Sequence, residues 1–97
     1  MAQPHSIPAA APAIVETSDG PRAVFTALFV PAVPNTVPAH LVVYGMSGNE
    51  DPNVDGGDYA IGLLVHRPAG DILTDGDYDL SYREAIGIMF RRAERLL

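Results

Sequence analysis

The chain has 97 residues, enough for one domain, and at net charge −6 it is a poor match for a nucleic acid or an anionic membrane surface. It has no cysteine, which excludes a disulfide framework and a thiolate metal site, and an apolar content of 47%, which is enough for a packed core. Its charge is segregated: the first 80 residues carry ten carboxylates and two cations, Arg22 and Arg67, whereas residues 81–97 carry four arginines and two glutamates.

In chain order, residues 1–12 hold Pro4, Pro8 and Pro12 among alanines. Proline fixes φ and removes a hydrogen-bond donor, so this segment reads as an extended arm preceding a single domain over 13–97. It has neither the positive start nor the continuous apolar stretch of a signal peptide, so a cytoplasmic or virion-associated location is expected. Ala13 to Glu16 reads as a short strand, and Ser18-Asp19-Gly20-Pro21 as a turn in which Gly20 takes positive φ. Residues 23–30 are β-branched and aromatic. Strict alternation puts Phe25 and Phe29 on one face and Val24, Leu28 and Val30 on the other, so this strand should be covered on both sides. Pro31, Pro34 and Pro38 mark a stiff connector; Pro31-Ala32-Val33-Pro34 is formally P-x-x-P but lacks a basic anchor.

Leu41 to Met46 and Tyr59 to His66 are the next strands, separated by a loop over 47–58. Asp71 to Thr74 reads as a short edge strand, and Asp75-Gly76-Asp77 as the turn that leads into a helix. That helix is the plainest element. Ser81 and Glu84 have capping-box spacing, and Tyr82, Ala85, Ile86, Met89, Phe90, Ala93, Leu96 and Leu97 form one apolar stripe. Arg91, Arg92 and Arg95 complement the helix dipole at its C-terminal end. Ile88 falls off the stripe and is expected on the surface, while Gly87 should weaken the helix unless something packs close to it. The fold class is therefore α+β: a small, mainly antiparallel sheet or half-open barrel of four to five strands with one C-terminal amphipathic helix. A β-sandwich-like body with the helix on its edge is the alternative.

Several patterns carry possible chemistry. Asp51-Pro52-Asn53-Val54-Asp55-Gly56 matches the opening of a calcium loop, with Asp51, Asn53, Asp55 and Asp58 as oxygen ligands. Gly62 stands where the bidentate glutamate is required, however, and strands rather than helices flank the loop. Asp71, Asp75, Asp77 and Asp79 form a second acidic run; in an extended segment the last three would share a face. Ser47, on a glycine-flanked turn after a strand, lacks the glycine and the following helix of a nucleophile elbow. His5, His40 and His66 have no ligand spacing, but His40 and His66 sit at ends of strands that a hairpin could join.

No cofactor motif or nucleophile–base pair is present. A non-catalytic protein-binding or structural module is therefore expected, such as an accessory subunit of a phage particle, with another protein or copies of itself as partner. Ile88 and the carboxylates Glu50, Asp51, Asp55 and Asp58 are the contact candidates. The alternatives are an acidic inhibitor that mimics DNA on another protein's nucleic-acid-binding surface, and a calcium-stabilised domain.

Overall fold

A computed structural model describes residues 11–31, 37–47 and 57–96; the other residues of the arm, of the proline connector, of the 48–56 loop and Leu97 lie outside this description. Five strands, β1 (Ile14–Thr17), β2 (Gly20–Val30), β3 (Ala39–Gly45), β4 (Tyr59–Arg67) and β5 (Gly70–Leu80), form one antiparallel sheet in the order of the chain, followed by α1 (Tyr82–Leu96). The sheet curls into a half-barrel: β1 at one edge approaches β5 at the other without pairing to it.

The curl gives β3 and β4 no water-facing side, and every residue of β3 is buried. On the outer face Leu41, Val43, Tyr59 and Ile61 pack under Ala85, Met89 and Ala93 of α1. On the inner face Val42, Tyr44, Ala60 and Leu64 pack with Val15, which the curl brings over from β1. Burying a Leu, Val or Ile on either side contributes roughly 1.5–3 kcal/mol, so the two apolar faces of these strands dictate a cover on each.

Three bulges adapt the flanking strands. In β2 an extra residue between the pairs Val24–Tyr44 and Thr26–Val43 puts Phe25 on the outer face with Leu28 and Val30. Phe25 meets Tyr59 and Tyr82 edge-on there, at 5.4 and 6.4 Å, while Phe29 is left inside against His40. Strict alternation, which pairs Phe25 with Phe29, fails because the bulge resets the phase. Thr26 also shares a hydrogen bond with the Tyr82 hydroxyl, tying the strand to the first turn of α1.

The acidic segment after Thr74 is strand, not turn. β5 continues to Leu80 because Asp75 and Asp79 take left-handed φ of 55° and 60° within two bulges that interrupt its pairing with β4. Aspartate tolerates that conformation better than most residues. These bulges also end the expected alternation of Asp75, Asp77 and Asp79. Asp77 turns to the helix side, where Arg92 donates to its carboxylate and to the Asp75 carbonyl, each at 2.6 Å.

The helix begins as its sequence requires. Ser81 N–H donates to Glu84 Oε1 at 2.8 Å, and Glu84 N–H to Ser81 Oγ at 3.0 Å. The stripe is rotated from the expected one. Ile88 is half-buried against the core, and Phe90 is instead 59% exposed. The cause is β5, which runs beside the Ile88–Arg92 flank of α1 and leaves the Phe90 flank uncovered. Ile88 is therefore not the exposed apolar contact the helical wheel suggests. A Cβ on Gly87 would meet nothing nearer than the mobile end of Arg91, at 3.7 Å, so no close approach accounts for this glycine.

Gly87→Ala should accordingly raise stability by about 1 kcal/mol. Arg92→Ala should lower it by about 1 kcal/mol through lost charge-assisted bonds on a partly exposed pair, whereas Arg91→Ala should change it by less than about 0.5 kcal/mol. Met89→Asp should remove several kcal/mol or prevent folding, by placing a charge in the core. Urea denaturation of the four variants checks the series; equal losses for Arg91 and Arg92 would refute the clamp on β5.

Candidate functional site: the open seam and a histidine relay

The gap between β1 and β5 opens into a groove of about 450 Å³, lined by Glu16, Asp19, Arg22, Tyr44, Ile72 and Tyr78, among other residues, with Asp71 at its rim. Its walls are set by the two hairpins. The β1–β2 turn is held by Thr17, whose hydroxyl donates to the Gly20 carbonyl at 2.8 Å and accepts from Asp19 N–H at 3.1 Å; Gly20 closes the turn with φ 108°. Arg22 does not serve as a counter-ion to the carboxylates. Its Nε donates to the Met46 carbonyl and an Nη to the Pro21 carbonyl, both at 2.9 Å. Among the described residues Glu16 and Asp19 have no ion-pair partner, so this wall is negative.

Tyr44 and Tyr78 face each other across the groove and share a hydrogen bond. Burial, reinforced by the neighbouring Tyr78, pushes the Tyr44 phenol up to about 12. Tyr78 itself is 57% exposed on this face; Ile72, 43% exposed, pairs with Val65 and so points to the helix side of the same edge strand.

The second feature lies on the same inner face. Strand register places Phe29 opposite His40, and His66 opposite Asp71. His66 is diagonal to His40, and its N–H donates to the Pro38 carbonyl at 3.0 Å, which fixes β4 against the start of β3. The side chains form a chain: His40 Nδ1 to His66 Nε2 at 2.7 Å, and His66 Nδ1 to Asp71 Oδ1 at 3.0 Å. An ionised carboxylate only accepts, so with both rings neutral His66 carries its proton on Nδ1 and donates to Asp71. His66 Nε2 is then an acceptor, and His40 donates to it from Nδ1. His40 is 2% exposed, and burial, with His66 acting in the same direction and Asp71 against it, holds it below its ordinary value of 6.5.

The residues singled out in the sequence divide as follows. Glu50, Asp51, Asn53 and Asp55 lie outside the described residues. Asp58 is exposed at the start of β4, where its carbonyl accepts from Met46 N–H at 2.8 Å. Among the described residues no three His, Cys, Asp or Glu side chains are grouped to hold a metal ion, so Asp71, Asp75, Asp77 and Asp79 do not converge. Ser47 lies in the exposed bend after β3, and the helix among the described residues begins only at Tyr82. That helix is neither long nor apolar enough to cross a membrane. His40 and His66 are brought together. Sequence reasoning missed Asp71 as the third member, although its position one turn after His66 is hairpin geometry. It also missed the Tyr44–Tyr78 pair, for which no local signal exists.

No family model, no characterised protein and no solved structure matches this chain. The tyrosine pair yields a direct measurement. The Tyr44 phenol should ionise only near pH 12, followed by tyrosinate absorbance, and Tyr78→Phe should lower that midpoint part of the way because burial is the larger cause. An unfolded tyrosine releases its proton near 10, so this group's contribution to stability is complete below pH 10 and lost as pH rises toward 12. Titration of all the tyrosines together near 10 in the folded protein would refute the buried pair.

Proposed function

We propose that this chain is a non-catalytic protein-binding module, an accessory subunit of a larger assembly, and that its partner, another protein, seats on the open seam between β1 and β5. The observation that carries this reading is the unpaired edge at Gly70–Thr74. Among the described residues β5 pairs only with β4, and β1 only with β2. Edge strands in stable monomers are blunted by bulges or charge. β5 is bulged only beyond Thr74; before that it is regular, with Ile72 exposed on it and the groove alongside. An extended segment of a partner can add main-chain hydrogen bonds there and place alternate side chains against Ile72 on the helix side and Tyr78 on the groove side. The relay on the same face supports binding over catalysis, because it ends inward on buried His40 and not on a nucleophile open to the groove.

A second reading, an acidic inhibitor that covers a nucleic-acid-binding surface of another protein, is favoured by the carboxylates of Glu16 and Asp19 on the groove wall, which have no ion-pair partner among the described residues. A partner captured from the native source, identified and purified, separates the two by calorimetry. The seam reading expects Ile72→Ser with Tyr78→Ser to weaken binding by about tenfold or more, with little dependence on salt. The inhibitor reading expects neutralisation of Glu16, Asp19, Glu50, Asp51, Asp55 and Asp58 to their amides to be the damaging change, and affinity to fall steeply with salt. A chain that stays a monodisperse monomer and captures nothing would overturn both.

A further inference from the structure

The relay His40–His66–Asp71 spans the ends of β3, β4 and β5 where the regular edge begins, and only Asp71 belongs to the proposed contact edge. We propose that it is a proton-operated latch: the hydrogen-bonded chain accommodates one added proton and breaks on the second. The inference stands whether or not the seam takes a partner.

The argument follows the protons. With both rings neutral, His66 Nδ1–H donates to Asp71, and His40 Nδ1–H donates to His66 Nε2. One added proton leaves the chain whole. His66 then carries hydrogen on both nitrogens and donates to Asp71 and to His40; His40 accepts at Nδ1 and keeps its own proton on Nε2. The middle bond reverses direction, and the positive ring lies against the Asp71 carboxylate, a favourable contact. A second proton leaves no acceptor between the rings: His40 Nδ1–H and His66 Nε2–H point at each other across 2.7 Å, both rings charged. The pair must separate.

The surroundings allow no compensation. His40 is packed by the Phe29 ring from β2, at 5.2 Å between centroids, and by His66 from β4. The charges that act on it are His66, which opposes a second proton, and Asp71, the next residue out. α1 and its arginines lie on the other face of the sheet. Burial is the largest cause that keeps His40 neutral, and the repulsion of His66 adds to it.

The sign with pH follows. The unfolded chain takes a proton on His40 near 6.5, and the fold resists it. Stability from this group is complete above pH 6.5 and declines as pH falls below 6.5, until the folded group is itself protonated. At that point the latch opens. Asp71 and Ile72 lie on the groove rim, so the local consequence is loosening of β5 over Gly70–Leu73 and not of α1.

The experiment is an imidazole nitrogen NMR titration of the full chain from about pH 8 to about pH 5, with amide hydrogen exchange over the same range. The expected result is the stated tautomers at the alkaline end and coupled titration of His40 and His66. At the acid end, exchange at residues 71–74 should quicken by about tenfold beyond its intrinsic pH dependence, while amides of α1 stay protected. His40→Asn keeps a donor toward His66 but cannot titrate, and it should abolish that acceleration. Asp71→Asn removes the carboxylate that favours protons on the relay, and it should move the opening to lower pH; it serves also if His40→Asn does not fold. Independent titration of the two rings, or exchange at 71–74 that tracks α1 at every pH, would overturn the latch.

Discussion

Strands β3 and β4 are apolar on both faces, and a single helix can bury only one of them. One face takes the amphipathic helix; the other is covered only if the sheet curls far enough for Val15 of β1 to reach Val42, Tyr44 and Leu64. The half-barrel is thus the result of a two-sided demand for burial in two central strands. Its seam is a direct consequence. Five strands that curl to cover an interior bring β1 near β5 without supplying the register to pair them.

The same demand explains the bulges. Phe25 is needed outside, between Tyr59 and Tyr82, while its neighbour Val24 is needed inside, and an extra residue in β2 lets adjacent residues satisfy both. In β5 the two aspartates with positive φ bend the strand so that Asp77 reaches Arg92 while Tyr78 reaches Tyr44. The irregularities therefore sit where one edge strand has to serve the helix and the groove together.

Among the described residues the ion pairs lie at one inner corner and one outer flank. The inner corner holds a linear relay from a half-exposed carboxylate to a buried imidazole; the outer flank holds the arginine clamp. Charge that is segregated along the chain is thus segregated across the sheet as well. The arginines of α1 lie outside, and Glu16, Asp19 and Asp71 line the groove within the curl. The two faces present different surfaces to any partner.

The sequence by itself determined what depends on near neighbours. The capping box of Ser81 and Glu84, the strand segments other than the second half of β5, the Gly20 turn, the α+β class and the half-open barrel were legible from residues a few positions apart, because local hydrogen bonding and periodic burial act over that range. Three matters were decided only by the tertiary structure. The phase of β2 depended on a bulge set by ring packing with Tyr59 and Tyr82, which are remote in sequence. The exposed flank of α1 depended on which side β5 passes, so Ile88 went in and Phe90 stayed out. The candidate site depended on strand register. His40, His66 and Asp71 are in line, and Tyr44 reaches Tyr78, only once β3, β4 and β5 are paired. Register is fixed by the summed burial of whole strands, and no short spacing in the chain encodes it.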